Sequence, residues 1–312
     1  MDDKNVTRIT NIHLLGFQTP KSIKNFIFFL FLIIYCVTVG GNLTIIILIS
    51  YSKILHSPMY IFLSQLSTSD ILLVTDIVPN ILRTVLVQEM IISFLDCVTQ
   101  YYFFAVSGGL ECFLLTVMSY DRYLAICRPL HYTLIMNHRF CWIMIFTSWV
   151  LSIVTIMIFT LTMLSLQFCG PNVIDHFFCD LSPILELSCS DTTILQLQVT
   201  VSSALFVVIP FFIIIVSYCY ILVTILQIPS ITGRKKAFST CSSHLIVVSI
   251  YYGTLVCVYL VPSTGQSWNI TKFLSLFYTI VTPLMNPIVY SLRNKDLRKS
   301  AEQILKKILE NL

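Results

Sequence analysis

The sequence predicts an all-α membrane protein, a seven-transmembrane helix bundle followed by a short amphipathic C-terminal helix. Of its 312 residues, 56% are hydrophobic and only 11% are charged. A helix needs roughly 20 consecutive apolar residues to cross a bilayer. Such stretches are found at residues 26–50, 59–82, 97–120, 140–164, 196–226, 237–261 and 273–292. The strands of a membrane barrel would alternate apolar and polar residues, and these stretches do not.

The seven predicted helices divide the chain into three parts. Residues 1–25 are a polar N-terminal tail, residues 26–292 form the seven-helix domain, and residues 293–312 form an amphipathic helix and tail on the inner membrane surface. Most connections are short, which leaves no room for a second domain. The exception is the loop at about residues 163–195, which is rich in Cys, Asp, Ser and Pro, and long ordered loops are usually functional.

The distribution of basic residues predicts the orientation of the bundle in the plasma membrane. Most of the 19 Lys and Arg lie in the connections on one side of the predicted helices and in the C-terminal segment, whereas the opposite loops hold only Arg83 and Lys272. Cytoplasmic loops carry an excess of Lys and Arg. We therefore expect an extracellular N-terminus and a cytoplasmic C-terminus. The net charge of +4 reflects this bias and gives no reason to expect a nucleic-acid partner.

Cysteines and one asparagine on the predicted outer side are candidates for covalent modification. Four of the 11 cysteines lie there, and four cysteines allow three pairings between which spacing does not choose. The sequence Asn5-Val6-Thr7 is a glycosylation acceptor, so we expect Asn5 to carry a glycan. The four outer cysteines are Cys97, Cys169, Cys179 and Cys189.

Two acids lie deep within predicted helices. Asp70 and Glu111 each lie roughly 16–17 Å from the inner face, at 1.5 Å of rise per residue. Adjacent buried carboxylates resist ionising together, so the pair must share either a proton or a cation. With Asn42 and Asn286 the acids form an oxygen-rich site suited to Na⁺, and no other cofactor is expected. The alternative is a hydrogen-bonded packing cluster in which one acid is protonated.

The outer half of the bundle contains a candidate ligand pocket, formed by residues at similar depth on the third, fifth and sixth predicted helices. It is apolar and aromatic, with a few hydroxyls and no fixed charge, which suits small, neutral, hydrophobic molecules. The alternative for each aromatic residue is ordinary core packing. The predicted lining residues are Phe104, Ala105, Gly108, Gly109, Cys112, Ser202, Ser203, Phe206, Tyr252, Leu255, Val256 and Tyr259.

Several motifs carry a family resemblance. They include "PMYIFLSQLSTSD" at 58–70, "MSYDRYLAICRPLHY" at 118–132, "KAFSTCSSH" at 236–244 and "PLMNPIVYSLRN" at 283–294. The chain resembles the rhodopsin-like G-protein-coupled receptors, and specifically the olfactory receptors, over essentially its whole length. It departs from the usual pattern mildly, with Ser119 where the family usually has Ala and Tyr251 where it usually has Phe.

The resemblance implies a role for particular residues. Arg122 is expected to be the core of an inner latch, held by Asp121 when inactive, with Tyr218 and Tyr290 as its hydroxyl partners in the active state. The segment 234–236 is expected to be part of a short loop that flanks the G protein. The residues implied in activation and coupling are Asp121, Arg122, Tyr123, Tyr218, Asn286, Pro287 and Tyr290. The implied disulfides are Cys97–Cys179 and Cys169–Cys189.

The function implied by the resemblance is that of an odorant receptor. It would bind a small, largely apolar, neutral molecule and activate a stimulatory, olfactory-type G protein that raises cyclic AMP, with membrane lipid as its other partner. One alternative is a non-nasal chemosensory receptor for a small metabolite. Another is an ion-conducting seven-helix transporter that uses Asp70 and Glu111. An enzyme is not expected, because no nucleophile–base or metal-ligand spacing is present.

Overall fold

Seven long helices and a shorter eighth make up the computed structural model, which describes residues 9–17, 20–52, 55–169, 171–260 and 268–310. Helix α7 consists of three consecutive helical segments, Trp268–Leu276, Phe277–Val281 and Thr282–Arg293. The other helices are α1 Lys24–Tyr51, α2 Pro58–Val87, α3 Phe94–Cys127, α4 His138–Leu164, α5 Thr193–Gln227, α6 Ile231–Leu260 and α8 Lys295–Glu310.

The lengths and compositions of these helices confirm the predicted fold class. Among the described residues, α1, α3, α4, α5 and residues 272–291 of α7 are each long and apolar enough to cross a membrane, and the bent helix α6 is a sixth. Helix α2 has 30 residues and is therefore about 45 Å long. It contains the acids Asp70 and Asp76, which lower its hydropathy.

Helix α3 lies at the centre of the bundle and packs against α2, α4, α5 and α6. Its buried face is continuous along its length, from Cys97 to Leu124. Helix α8 docks where Leu297 is buried and the hydroxyl of Tyr60 donates to Asn294 Oδ1 at 3.0 Å. For brevity, the "disulfide end" of the bundle is the end near Cys97, and the "Arg122 end" is the opposite one.

The placement of Arg234, Lys235 and Lys236 in a loop was wrong. Helix α6 begins at Ile231, so this basic segment lies in its first turns. Lys and Arg are good helix formers, and the helix therefore continues past the apolar stretch that marked its predicted start at residue 237. The basic segment therefore lies in the first part of α6, Ile231–Ser239, which meets the rest of the helix at a bend of 44°.

A small sheet at the disulfide end was not predicted. Its strands are β1 Asn11–Leu14, β2 Met90–Ser93 and β3 Val173–Ile174, in the order β2-β1-β3, with β1 antiparallel to β2 and parallel to β3. Part of the N-terminal tail is therefore ordered, since Ile12 and Leu14 are fully buried. Strands of two to four residues carry too little alternation for a sequence pattern to reveal them.

Two π-helical turns interrupt long helices just before prolines. They span Ala204–Val208 in α5 and Phe277–Val281 in α7, and they precede Pro210 and Pro283. Because proline has no backbone N–H, it cannot donate to the carbonyl four residues earlier, and that carbonyl lies within the π turn in both helices. Such turns often lie at functional sites.

Candidate functional site

The side chains of Asp121 and Arg122 form a buried ion pair at the Arg122 end. Nε of Arg122 donates to Asp121 Oδ2 at 2.9 Å, and Nη2 donates to the same oxygen. Asp121 is fully buried and Arg122 is 8% exposed. Removing one partner of a buried pair leaves an uncompensated charge, which costs roughly 3–5 kcal/mol. The guanidinium and carboxylate are therefore held together in this conformation.

Sequence reasoning missed a second partner of Asp121. The hydroxyl of Tyr132 donates to Asp121 Oδ1 at 2.8 Å, from the short helix Pro129–Ile135 that follows α3. Burial raises the pKa of this Tyr132 hydroxyl further above its ordinary value, with the Asp121 charge as the next cause, so the hydroxyl stays protonated and remains a donor. Tyr132 is part of the quoted motif at 118–132, but its spacing of 11 residues from Asp121 does not reveal the contact.

Tyr218 of α5 is bonded to α6 and not to Arg122. Its hydroxyl is hydrogen-bonded to Nδ1 of His244 at 2.6 Å, and the two rings are stacked. His244 is fully buried, and its Nε2 has no partner. This histidine ends the motif at 236–244 and was also missed. The contact joins α5 to α6 at a position between the basic segment 234–236 and the middle of the bundle.

Three further residues implied in activation are Tyr290, Tyr123 and Pro287. Tyr290 of α7 is fully buried, and its hydroxyl has no hydrogen-bond partner. The ring of Tyr123 contacts Tyr120 and the α5 residue Tyr220, with centroids 6.2 and 5.9 Å apart. Pro287 packs closely on α1, because a Cβ placed on Gly41 would lie 3.0 Å from the Pro287 ring.

The acids at mid-depth meet α7 through an asparagine. Nδ2 of Asn286 donates to Asp70 Oδ1 and Oδ2 at 3.1 and 2.9 Å. Glu111 lies within electrostatic range of both Asp70 and Asn286. Glu111 Oε1 and Asn286 Oδ1 are buried and unpaired, so oxygen atoms suited to a proton or to Na⁺ are present. The amide N–H of Asn42 donates to the carbonyl oxygens of Thr38 and Pro283, and its Oδ1 is likewise buried and unpaired.

Tyr251 connects α6 to α3 directly above the acids. Its hydroxyl donates to the carbonyl oxygen of Gly108 at 3.0 Å and lies 3.1 Å from Sγ of Cys112. Tyr251 is 4% exposed. The phenylalanine more usual at this position in the resembled family has no hydroxyl and makes neither contact. The hydroxyl is therefore a feature of this chain that holds α6 against the face of α3 predicted to line the pocket.

The predicted pocket residues of α3 and α5 divide between open and filled space. A Cβ placed on Gly108 would meet nothing within 4 Å, whereas one on Gly109 would lie 2.7 Å from the ring of Phe206. Phe206 also contacts Phe113, with centroids 4.9 Å apart. Ala105, Ser202 and Ser203 are half-buried. The space beside Gly109 is thus taken by a phenylalanine, and the space beside Gly108 remains open.

Two of the four predicted pocket residues of α6 border a groove between α5 and α6. It has a volume of about 390 Å³ and is lined by Tyr252 and Val256, together with residues such as Phe211 and Ser249. Tyr252 is 3% exposed, and its ring centroid lies 5.1 Å from that of Phe211. Its hydroxyl has no hydrogen-bond partner. Leu255 is half-buried. The side chain of Tyr259 lies outside the described residues, as does Asn5.

Aromatic rings fill the disulfide end above the pocket. Phe104 of α3 contacts Phe178 and Tyr278, with centroids 5.0 and 5.9 Å apart. Phe178 is fully buried and belongs to the loop between α4 and α5. The ring of Phe17, from the N-terminal segment, stacks on Phe177 at 5.1 Å. The loop and the N-terminal segment together make a lid over Phe104.

Two disulfides hold this lid. Cys97 of α3 is bonded to Cys179, and Cys169 is bonded to Cys189 within the loop. These are the two pairs that the resemblance implies. Next to the first bond, the side-chain oxygen of Gln100 accepts from the backbone N–H of Cys179 at 3.0 Å. The loop is therefore fixed to α3 by both a covalent bond and a hydrogen bond.

An ion pair between the buried Lys272 and the exposed Asp175 ties the lid to α7. Nζ of Lys272 donates to Asp175, and it lies 3.4 Å from the carbonyl oxygen of Gly16. His176 beside it is 1% exposed, with Nε2 3.5 Å from Ser275 Oγ. Burial first, and the Lys272 charge second, lower the pKa of His176 to about 3. The imidazole is therefore neutral at physiological pH.

A second groove lies at the Arg122 end. It has a volume of about 500 Å³ and lies between the inner ends of α5 and α6. Its lining combines the cations Arg234 and Lys235 with the apolar side chains of Ile225 and Phe238. Among the described residues, no group of three or more His, Cys, Asp or Glu side chains is arranged to hold a metal ion.

Comparisons with known proteins give one consistent result. A family model described as "Olfactory receptor" matches residues 31–308. The chain is 46% identical to "Olfactory receptor 10A7" of Homo sapiens, over 99% of this chain and 98% of that protein. It is also 46% identical to "Olfactory receptor 1E5" of Pan troglodytes, over 98% of each chain. The crystal structure of squid rhodopsin has the same fold, with a TM-score of 0.73 at 18% identity, covering 94% of this chain and 88% of that one.

The lid should weaken in acid because of His176. Below pH 6.5 His176 takes up a proton when the lid is open but stays neutral when it is buried, because its pKa in the closed lid is about 3. The contribution of His176 to the stability of the closed lid is therefore complete above pH 6.5 and is lost as the pH falls toward 3. We expect the melting temperature of the purified protein to fall between pH 7 and 4.5. At pH 4.5, His176→Gln should remove on the order of 2 kcal/mol from the acid-induced loss in the free energy of unfolding. The melting temperature should therefore fall less than in the wild type. The exposed His56→Gln should leave it unchanged, and an equal fall in His176→Gln and wild type would contradict the assignment.

Proposed function

Because the chain belongs to the olfactory receptor family, we propose that it is an odorant receptor which binds small, neutral, largely apolar molecules and activates a stimulatory, olfactory-type G protein. Activation of that G protein raises cyclic AMP. The chain is a multi-pass membrane protein and a signalling receptor, not an enzyme. The disulfide end faces the extracellular side, where oxidising conditions preserve disulfides. The Arg122 end, with most of the basic residues, faces the cytoplasm.

The single observation that carries the proposal is the closed arrangement around Arg122. Its charge is held by Asp121, while the hydroxyl of Tyr218 is bonded to His244 of α6. Outward movement of α6 would break the Tyr218–His244 contact and free that hydroxyl for Arg122. The guanidinium then has an alternative partner when it leaves Asp121. This gives two discrete arrangements of the same side chains, which a receptor needs.

The groove between the inner ends of α5 and α6 is the proposed G-protein site. Arg234, Lys235 and Phe238 present two cations and an aromatic ring on one helix. An amphipathic helix with acidic residues would bind such a surface through its apolar face. The basic segment is joined to the rest of α6 through the bend between Ser239 and Cys241, so an outward movement of the α6 end would carry the segment with it. The site is therefore coupled mechanically to the Tyr218–His244 contact.

The ligand acts through a continuous series of contacts across the membrane. The predicted ligand pocket between α3, α5 and α6, called the chamber below, reaches Cys112. Cys112 contacts Tyr251, and the adjacent Glu111 lies near Asp70 and Asn286. Asn286 is one helical turn before Tyr290 on α7. A ligand shifts the two-state equilibrium only by its differential affinity for the two states. An agonist would bind better when α6 has moved away from Gly108 and the chamber has widened.

The acid pair is proposed to hold either Na⁺ or a shared proton. Bound Na⁺ would stabilise the protein by mass action. If the site binds Na⁺, 150 mM NaCl should raise the melting temperature above that measured in equal choline chloride, and Glu111→Gln should abolish the difference. Equal melting temperatures of the wild type in the two salts would assign the site to a proton.

Arg122 should be required for signalling. A volatile library screened in cells that express an olfactory-type stimulatory G protein would first identify an agonist. At matched surface expression, Arg122→Ala should reduce the agonist-stimulated cyclic AMP response at least tenfold, because the released latch can no longer engage Tyr218. The exposed Arg83→Ala, at the disulfide end, is the matched control and should respond normally. An unimpaired Arg122→Ala would refute the assigned role.

The hydroxyl of Tyr251 should hold the receptor inactive. Tyr251→Phe removes the hydrogen bond from α6 to Gly108, a contact worth about 1 kcal/mol. Basal cyclic AMP should rise up to about fivefold, since 1.4 kcal/mol corresponds to a factor of ten. Tyr35→Phe, which removes a hydroxyl 3.4 Å from Thr75 between α1 and α2, is the control. Basal activity that is unchanged or lower in Tyr251→Phe would contradict the prediction.

A further inference from the structure

We infer that the groove between α5 and α6 is a binding site for small, neutral, apolar molecules dissolved in the bilayer, and that these molecules enter the ligand chamber past Tyr252. The inference rests on the proposed function, because it supplies the route by which an odorant reaches its chamber. It adds a site on the membrane-facing surface to the chamber between α3, α5 and α6.

The groove opens toward lipid. Ile215 of α5 and Val256 of α6 are 40% and 46% exposed, and both belong to helices that cross the membrane. A side chain exposed in the middle of such a helix faces hydrocarbon. The volume of about 390 Å³ is in the range of small-molecule sites. An apolar solute in the bilayer therefore reaches this groove without crossing water.

The approach from the disulfide end is covered in the described part of the chain. Phe104, Phe177 and Phe178 fill the space above the chamber, and Lys272 binds both Asp175 and the backbone of Gly16. Opening that route requires breaking the contacts of the buried Lys272 with Asp175 and Gly16 and separating several aromatic contacts. A route between α5 and α6 requires neither, so the groove is the less costly entrance for an apolar solute.

Tyr252 stands between the groove and the chamber. Its ring lines the groove, while Cys112 and Thr116 of α3 are the polar neighbours of its hydroxyl on the inner side. Although the side chain is 3% exposed, its hydroxyl has no hydrogen-bond partner in the described structure. A ligand with one oxygen would satisfy that hydroxyl. Rotation of this single ring would join the groove to the open space beside Gly108.

Two glycines provide a matched pair of variants. A Cβ at Gly253, which lines the groove, would meet nothing within 4 Å, and the same is true of Gly40 on the exposed face of α1. Leucine is a better helix former than glycine at both positions. Gly253→Leu therefore places a side chain in the groove with no clash at its Cβ, and Gly40→Leu adds the same side chain to another exposed helix face. Val256→Trp is a second way to fill the groove should Gly253→Leu fail to fold.

Photolabelling of the full chain in phosphatidylcholine vesicles tests the site. The probe is 3-trifluoromethyl-3-phenyldiazirine, a small neutral apolar compound, and labelled residues are mapped by mass spectrometry. Labelling at Tyr252 and Ser249 should saturate with probe and be competed by trifluoromethylbenzene. It should fall at least fivefold in Gly253→Leu or Val256→Trp and stay unchanged in Gly40→Leu. Labelling on the exposed face of α4, for example at Phe146, should rise linearly with probe and resist competition.

Three outcomes would overturn the inference. The first is groove labelling that rises linearly and resists competition as on α4, which would mean that lipid acyl chains occupy the groove. The second is labelling unaffected by Gly253→Leu and Val256→Trp. The third is groove labelling that appears only when the protein is diluted in lipid, which would mean that a second copy covers the groove. The readout uses neither agonist nor G protein, so saturable labelling without any cyclic AMP response would reject the proposed function and leave the groove site standing.

Discussion

The charge of Arg122 is buried in a low-dielectric interior and must always have a partner. In this conformation the partner is Asp121, which Tyr132 supports from the short helix after α3. Because an unpaired buried charge costs several kcal/mol, the guanidinium can move only to another prepared site, and intermediate positions are disfavoured. Under the proposed function, this constraint would make the Arg122 end switch between two arrangements, with the rest of the bundle determining which one is populated.

The polar groups in the middle of the bundle are few and are shared between helices. Asn286 binds Asp70 across α7 and α2, Asn42 binds the carbonyl oxygen of Pro283 across α1 and α7, and Tyr251 binds Gly108 across α6 and α3. In hydrocarbon these groups cannot form hydrogen bonds with water. A helix that moves must therefore replace each lost hydrogen bond with one to another protein group. The unpaired oxygen atoms of Glu111 and Asn286 show where such an exchange has room to occur.

The disulfide end is built to stay closed. Two disulfides, a three-stranded sheet and the Lys272–Asp175 pair fix the lid to α3 and α7. Between α5 and α6 the described residues form no disulfide or ion pair, although the Tyr218–His244 hydrogen bond joins the two helices, and this side holds the groove next to Tyr252. The division between a rigid covered end and a separable helix pair suits ligands that are more soluble in lipid than in water.

The apolar stretches and motifs were enough to predict the seven helices and the latch pair, because membrane insertion depends on each segment's own composition and because Asp121 and Arg122 are adjacent in the chain. The resemblance also supplied the cysteine pairs that spacing left open. The contacts of Tyr132, His244 and Tyr251, the sheet formed by Ile12 and its neighbours, and the filling of the space at Gly109 by Phe206 were decided only by the tertiary structure. Each depends on which side chains from distant parts of the chain come into contact when the helices pack. The sequence pattern of one segment does not indicate which other segments it will contact.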